Sequence, residues 1–120
     1  MTPMDELRES LRTFARERDW EQFHTPKNLA MALSVEVSEI VELFQWLRDD
    51  ESFTLSEEKL AALSDEIGDV MIYLTSLADK FDIDPLDAAN EKMKKNAVAY
   101  PQEKSRGKAL KYTEYIDKNK

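Results

Sequence analysis

Apolar residues recur at steps of three and four along most of this chain, the period of an α-helix with one buried face. Leu7, Leu11, Phe14 and Ala15 mark one such stripe, which should end near Arg18. Leu29, Leu33, Val37, Ile40, Phe44 and Leu47 form a second, predicting a helix of roughly two dozen residues. Leu60, Leu63, Ile67, Val70, Met71, Leu74, Leu77 and Phe81 make the third. A sparser fourth carries Leu86, Ala89, Met93 and Tyr100 and stops before Pro101.

Punctuation between the stripes agrees with them. Thr2-Pro3-Met4-Asp5 and Thr25-Pro26 each combine a capping threonine with a proline suited to the first helical position. The polar run Arg48-Asp49-Asp50-Glu51-Ser52 breaks the second helix, Thr54 or Ser56 can cap the third, and Asp84-Pro85-Leu86-Asp87 announces the fourth. Short connections between long helices imply antiparallel neighbours. The expected architecture is all-α, a four-helix antiparallel bundle over residues 1–100. Residues 101–120 read as an irregular, Lys-rich C-terminal tail with Leu110, Tyr112, Tyr115 and Ile116 as its anchors, ordered by a partner subunit. So much apolar helix in so short a chain also points to burial shared between copies, hence a homo-oligomer.

Composition narrows the class. With 120 residues there is room for one domain and no separate regulatory module. Two glycines and four prolines among many Ala, Leu, Glu and Lys disfavour a sheet-rich fold. A formal charge of −8, from 17 basic and 25 acidic residues, makes nucleic acid a poor partner. The absence of cysteine excludes disulfides and thiolate chemistry and agrees with a cytoplasmic location. Apolar runs such as 70–74 are too short to span a bilayer, and no signal peptide is visible.

The candidate chemistry lies in four acids. Glu36 and Glu39 on the second helix, and Glu66 and Asp69 on the third, are each spaced i, i+3 and so share one face of their helix. Each pair lies about ten residues, roughly 15 Å, from the connecting turn, so an antiparallel hairpin brings the four level. Such a group repels itself unless protonated or bound to a cation. Oxygen ligands without Cys, and with the single His24 elsewhere, select Mg²⁺, with Mn²⁺ as a substitute, over Zn²⁺ or iron. In a chain this acidic, two such pairs also arise by chance as solvated surface residues. Glu66 and Asp69 nevertheless interrupt a strongly apolar helix, and Gly68 between them costs about 1 kcal/mol relative to Ala, which suggests close approach of another helix or a ligand. A carboxylate-bridged di-iron bundle would need Glu-x-x-His pairs, which His24 does not form. A helical adaptor binding partner helices explains the stripes and the acidic surface, but not paired acids at matched depth beside two tryptophans.

Four ordered blocks resemble one family. Arg18-Asp-Trp20-Glu-Gln-Phe-His24-Thr-Pro-Lys-Asn-Leu, running on to Glu36-Val-Ser-Glu39-Ile-Val-Glu42-Leu-Phe-Gln-Trp46, is similar to the MazG-like pyrophosphohydrolases, especially their dCTP-pyrophosphatase branch. So are Leu63-Ser-Asp-Glu66-Ile-Gly-Asp69-Val-Met-Ile-Tyr73-Leu, Lys92-Met-Lys-Lys-Asn96-Ala-Val-Ala-Tyr100-Pro101, and the tail from Ser105 to Glu114. The resemblance implies an all-α fold and Mg²⁺-dependent hydrolysis of a nucleoside triphosphate to monophosphate and pyrophosphate. It implies Glu36, Glu39, Glu66 and Asp69 as metal ligands, Trp20, Trp46 and Tyr73 at the base, and Lys92, Asn96 and Tyr100 at phosphate or sugar. Glu39 is the favoured acceptor for the attacking water's proton, and Lys92, with Arg106 or Lys108, would steady the leaving pyrophosphate. Two departures stand out. Val35 occupies a position that is often acidic in the wider family, and Leu11 one where some members of the branch carry histidine. His24, ahead of the second cap, reads as structural or as support behind the site.

Overall fold

The computed structural model describes residues 1–109 and residue 113, and every described element is helical. The long helices are α1 (Pro3–Glu17), α2 (Pro26–Phe44), α3 (Glu57–Asp79) and α4 (Pro85–Ala99), followed by the single turn α5 (Gln102–Ser105). Three-residue 3₁₀ turns, Glu21–Phe23 and Glu51–Phe53, lie in the first two connections.

The caps act where the sequence places them. Thr2 Oγ1 accepts the Asp5 amide at 3.1 Å while the Asp5 carboxylate accepts the Thr2 amide at 2.9 Å, a reciprocal capping box. Thr25 Oγ1 accepts the Asn28 amide, and Ser56 rather than Thr54 caps α3 by accepting the Lys59 amide. α2 is shorter than its apolar stripe suggests. It ends at Phe44 because the last turn tightens, Leu47 N–H bonding Phe44 O, and the Arg48 amide is taken by the Glu51 side chain at 2.9 Å. A local side-chain acceptor there competes with continuation of the helix.

Two helix ends close in the same way. The Trp20 amide reaches back to Ala15 O and the Asp19 amide to Arg16 O; the Ile83 amide reaches Ala78 O and the Asp82 amide Asp79 O. This is the Schellman arrangement, and it puts Asp19 and Asp82 in the left-handed region at φ 54° and 55°.

The chain divides into two compact units, residues 1–84 and 85–120. In the first, α2 and α3 pack along one another as a hairpin, and α1 lies on α3. Arg8 pairs with Asp84 at 3.5 Å and Arg12 with Asp79, so α1 advances as α3 recedes and the two run antiparallel. Few side chains are fully enclosed. Among the described residues the buried set is Ala15, Leu29 (1% exposed) and Thr75 (0%), while Val37, Ile67 and Met71 of the apolar stripes, and Val35 and Val41 outside them, remain exposed.

In the second unit Tyr100 N–H bonds Asn96 O at 2.7 Å, just after α4, and Lys94 pairs with Glu91. The segment expected to be irregular from residue 101 opens with the helical turn α5. Leu110, Tyr112, Tyr115 and Ile116 lie outside the described residues. No helix among the described residues is long and apolar enough to cross a membrane.

Candidate functional site

Three of the four acids converge. Glu36 and Glu39 from α2 and Glu66 from α3 each bring a carboxylate oxygen within 4.8 Å of the others. Asp69 lies outside this triplet but close enough to act on Glu36 electrostatically. Glu66 is influenced most by Glu39, and Asp69, one turn further along α3, acts on Glu36, one turn earlier on α2. That order is the one an antiparallel hairpin produces.

The cluster is electrostatically unbalanced. The Glu39 carboxylate first, then partial burial and Glu36, push Glu66 up to about 7. At Glu36 the strongest single influence, Glu66, lowers the pKa; burial, Glu39 and Asp69 outweigh it and the net shift is upward. One oxygen of Glu36 and one of Glu66 are buried without a hydrogen-bond partner. Among the described residues no Lys or Arg pairs with any of the four acids. Close carboxylates with orphaned oxygens and no internal counter-charge form a donor set suited to a hard divalent cation. Gly68 sits beside them on α3, yet a side-chain carbon built there would meet nothing within 4 Å. The close approach expected at that glycine is therefore not made by any described part of this chain.

The aromatic candidates are placed separately. Tyr73 lies one turn beyond Asp69 on α3 and is half-buried. Trp20 follows the α1 terminus, 43% exposed, its ring edge-on to Phe14 at 5.7 Å and to His24 at 6.3 Å. Trp46 stands in the turn after α2, 87% exposed. Leu11 and His24 line a cleft of about 210 Å³ with Arg12, Ser76, Asp79 and Lys80. Lys92 and Asn96 share one face of α4, with Tyr100 just beyond it, all in the second unit.

Sequence reading missed the Arg12–Asp79 pair, whose Nε–Oδ2 and Nη2–Oδ1 distances are 2.7 and 2.5 Å. Sixty-seven positions separate the partners, so no local spacing reveals them. One signal was available: Asp79 lies in the last turn of α3, where the helix dipole disfavours an acid and a cationic partner is called for.

The family model for the MazG-like family matches residues 31–115, a span containing all four acids and Lys92, Asn96 and Tyr100. The chain belongs to the MazG-like family. Enzymes of this family are metal-dependent, which agrees with the acidic cluster. Similar proteins include dCTP pyrophosphatase 1 of Mus musculus, 45% identical over 113 residues, and of Homo sapiens, 44% identical over the same length. Each alignment covers 92% of this chain and 66% of the relative, so the chain spans about two thirds of their length. A solved pyrophosphatase from Archaeoglobus fulgidus is 45% identical, with a TM-score of 0.78 over 84% of this chain and 94% of that one. The all-helical MazG-like fold is thus shared with a solved relative.

Proposed function

We propose that this MazG-like protein is a nucleoside triphosphate pyrophosphohydrolase, converting a deoxynucleoside triphosphate such as dCTP, or a modified pyrimidine analogue, to its monophosphate and pyrophosphate. The observation that carries the reading is the convergence of Glu36, Glu39 and Glu66, with unpartnered oxygens, in a relative of the dCTP pyrophosphatases. These three residues, with Asp69, would hold Mg²⁺, or Mn²⁺ in its place. When bound, the ion supplies charge neutralisation for the triphosphate and lowers the pKa of a coordinated water. Glu39 accepts the proton of the water that attacks the α-phosphorus. The bond from that phosphorus to the bridging oxygen breaks, and pyrophosphate leaves.

Trp20, Trp46 and Tyr73 offer flat faces for the base, a contact worth ~1–3 kcal/mol where bases stack on aromatic side chains. Lys92, Asn96 and Tyr100 contact phosphate or sugar, with Arg106 or Lys108 steadying the leaving group. Residues 1–100 form the working domain, with 101–120 as a tail. The exposed Val35, Val37, Val41, Ile67 and Met71 favour assembly as a homodimer or homotetramer. The charge of −8 argues against nucleic acid as a partner, and the lack of cysteine fits a cytoplasmic role in nucleotide-pool cleaning.

The test is incubation of the purified protein with each common dNTP and NTP, with Mg²⁺, with Mn²⁺ and with chelator, and identification of the products. Monophosphate and pyrophosphate formed only with the divalent ion support the reading. No turnover of any nucleotide, with thermal stability indifferent to both ion and nucleotide, would replace it with the helical-adaptor function.

A further inference from the structure

We infer that Arg12 and Asp79 are positioning residues: their ion pair sets the register of α1 on α3 and thereby holds Trp20 at its working distance from the acidic cluster. The inference rests on the proposed function, in which Trp20 meets the base.

The apolar contact between α1 and α3 cannot set that register alone. Leu7, Leu11 and Ala15 repeat every four residues, so a slide of one turn still leaves Leu or Ala at two of these three contact positions, Pro3 or Asp19 entering at the end. Such a slide is about 5.4 Å. Hydrophobic burial is non-directional and would change little. Along α1 only Ala15 is fully buried, so close packing does not lock the position either. The Arg12 guanidinium, in contrast, grips Asp79 through two parallel hydrogen bonds of 2.7 and 2.5 Å. A bidentate fork is specific in both distance and orientation. Arg12 first holds the Asp79 carboxyl below its usual range, so the acid stays charged near neutrality. One turn earlier, Arg8 reaches Asp84 at 3.5 Å as a looser second rung.

What the register moves is Trp20. Because α1 runs antiparallel to α3, a slide carries its C-terminal end, which lies beyond Asp79 on the Asp69 side, along α3 toward or away from Asp69 and Glu66. That end is rigidly joined to Trp20: the Trp20 amide bonds Ala15 O at 2.9 Å, Asp19 makes the left-handed turn, and the Trp20 ring rests edge-on against Phe14. Arg12 is half exposed, so its pair adds little to global stability. Losing it should leave the protein folded and displace Trp20.

The chain lacks cysteine, so labels can be placed at will. Spin labels at Thr13→Cys on α1 and Glu58→Cys on α3 report the register directly. The expected result is one narrow distance in the parent chain, and a broadened or shifted distribution, by about 5 Å, with Arg12→Gln or Asp79→Asn. In the unlabelled protein with Mg²⁺ and dCTP, each of these substitutions should raise KM about tenfold and leave kcat within about twofold, a displacement of about 1 Å being enough for such losses. The exchange Arg12→Asp with Asp79→Arg should restore both readouts. An unchanged spin-label distance overturns the register claim whatever the enzyme does. A shifted distance with unchanged KM overturns the positioning role. If Asp79→Asn leaves KM unaltered while Arg12→Gln raises it, Arg12 touches substrate itself and the inference is wrong. Trp20→Ala separates the two levels: if it leaves KM unchanged, the reading of Trp20 at the base fails. If it raises KM additively with Arg12→Gln, the coupling fails, because residues acting through one another are non-additive.

Discussion

Glu39 on α2 and Glu66 on α3 bring carboxylate oxygens within 4.8 Å of each other across the helical hairpin, and no basic side chain among the described residues pairs with either. This relationship stores repulsion in the metal-free protein and releases it when a cation or a proton arrives. Activity, pH dependence and metal response are therefore linked through one pair.

The pH response has a definite sign. Glu66 is raised from 4.5 to about 7 in the folded chain, so the folded state keeps a proton that the unfolded state has released between those values. Its contribution favours folding below pH 4.5 and is lost as the pH rises through about 7. Stabilisation by Mg²⁺ requires that proton to leave, so it should grow with pH over the same window and level off above about 7. Thermal melts of the parent chain and Glu66→Gln, with and without Mg²⁺, check this. A Mg²⁺ effect that is flat from pH 5 to 8 in the parent chain would contradict it.

Glu39→Gln should keep the helical fold and lose turnover by about 10²–10⁴-fold, the usual worth of a general base. Circular dichroism and single-turnover hydrolysis with saturating Mg²⁺ measure the two parts. Full activity would remove Glu39 from the mechanism.

Thr75 is wholly buried on α3 and its hydroxyl has no hydrogen-bond partner. Thr75→Val keeps the shape and removes the orphan donor, so chemical denaturation should show a gain of about 1 kcal/mol. A loss of similar size would mean that the hydroxyl bonds to water or to another subunit.

Gly68 is open: nothing lies within 4 Å of a side-chain carbon built there. Gly68→Ala should therefore stabilise α3 by up to about 1 kcal/mol through helix propensity alone. A lowered melting temperature together with weaker association on size-exclusion chromatography would show that a second copy presses on α3 at that point.

The acidic cluster was legible because it is built from local rules: an i, i+3 pair fixes a helical face, and a hairpin fixes which faces meet. Even so, the level-depth argument was only approximate. α2 stops at Phe44 where the apolar stripe continues to Leu47, because Glu51 takes the Arg48 amide, a contact that periodicity does not encode. Of the four acids, three converge within 4.8 Å and Asp69 stands apart, a distinction below the resolution of spacing.

By itself, the sequence determined the helices, their capping residues Thr2 and Thr25, a choice of Thr54 or Ser56 for the third cap, and the faces on which Glu36, Glu39, Glu66 and Asp69 would lie. These follow from hydrogen bonds and periodicities spanning only a few residues. Tertiary structure alone decided that Arg12 would meet Asp79 and that Thr75 rather than a leucine of the stripe would be most deeply buried. Those outcomes depend on which helices pack and in what register. That choice is made by contacts between residues far apart in the chain, where the local periodicity of either helix carries no information about the other.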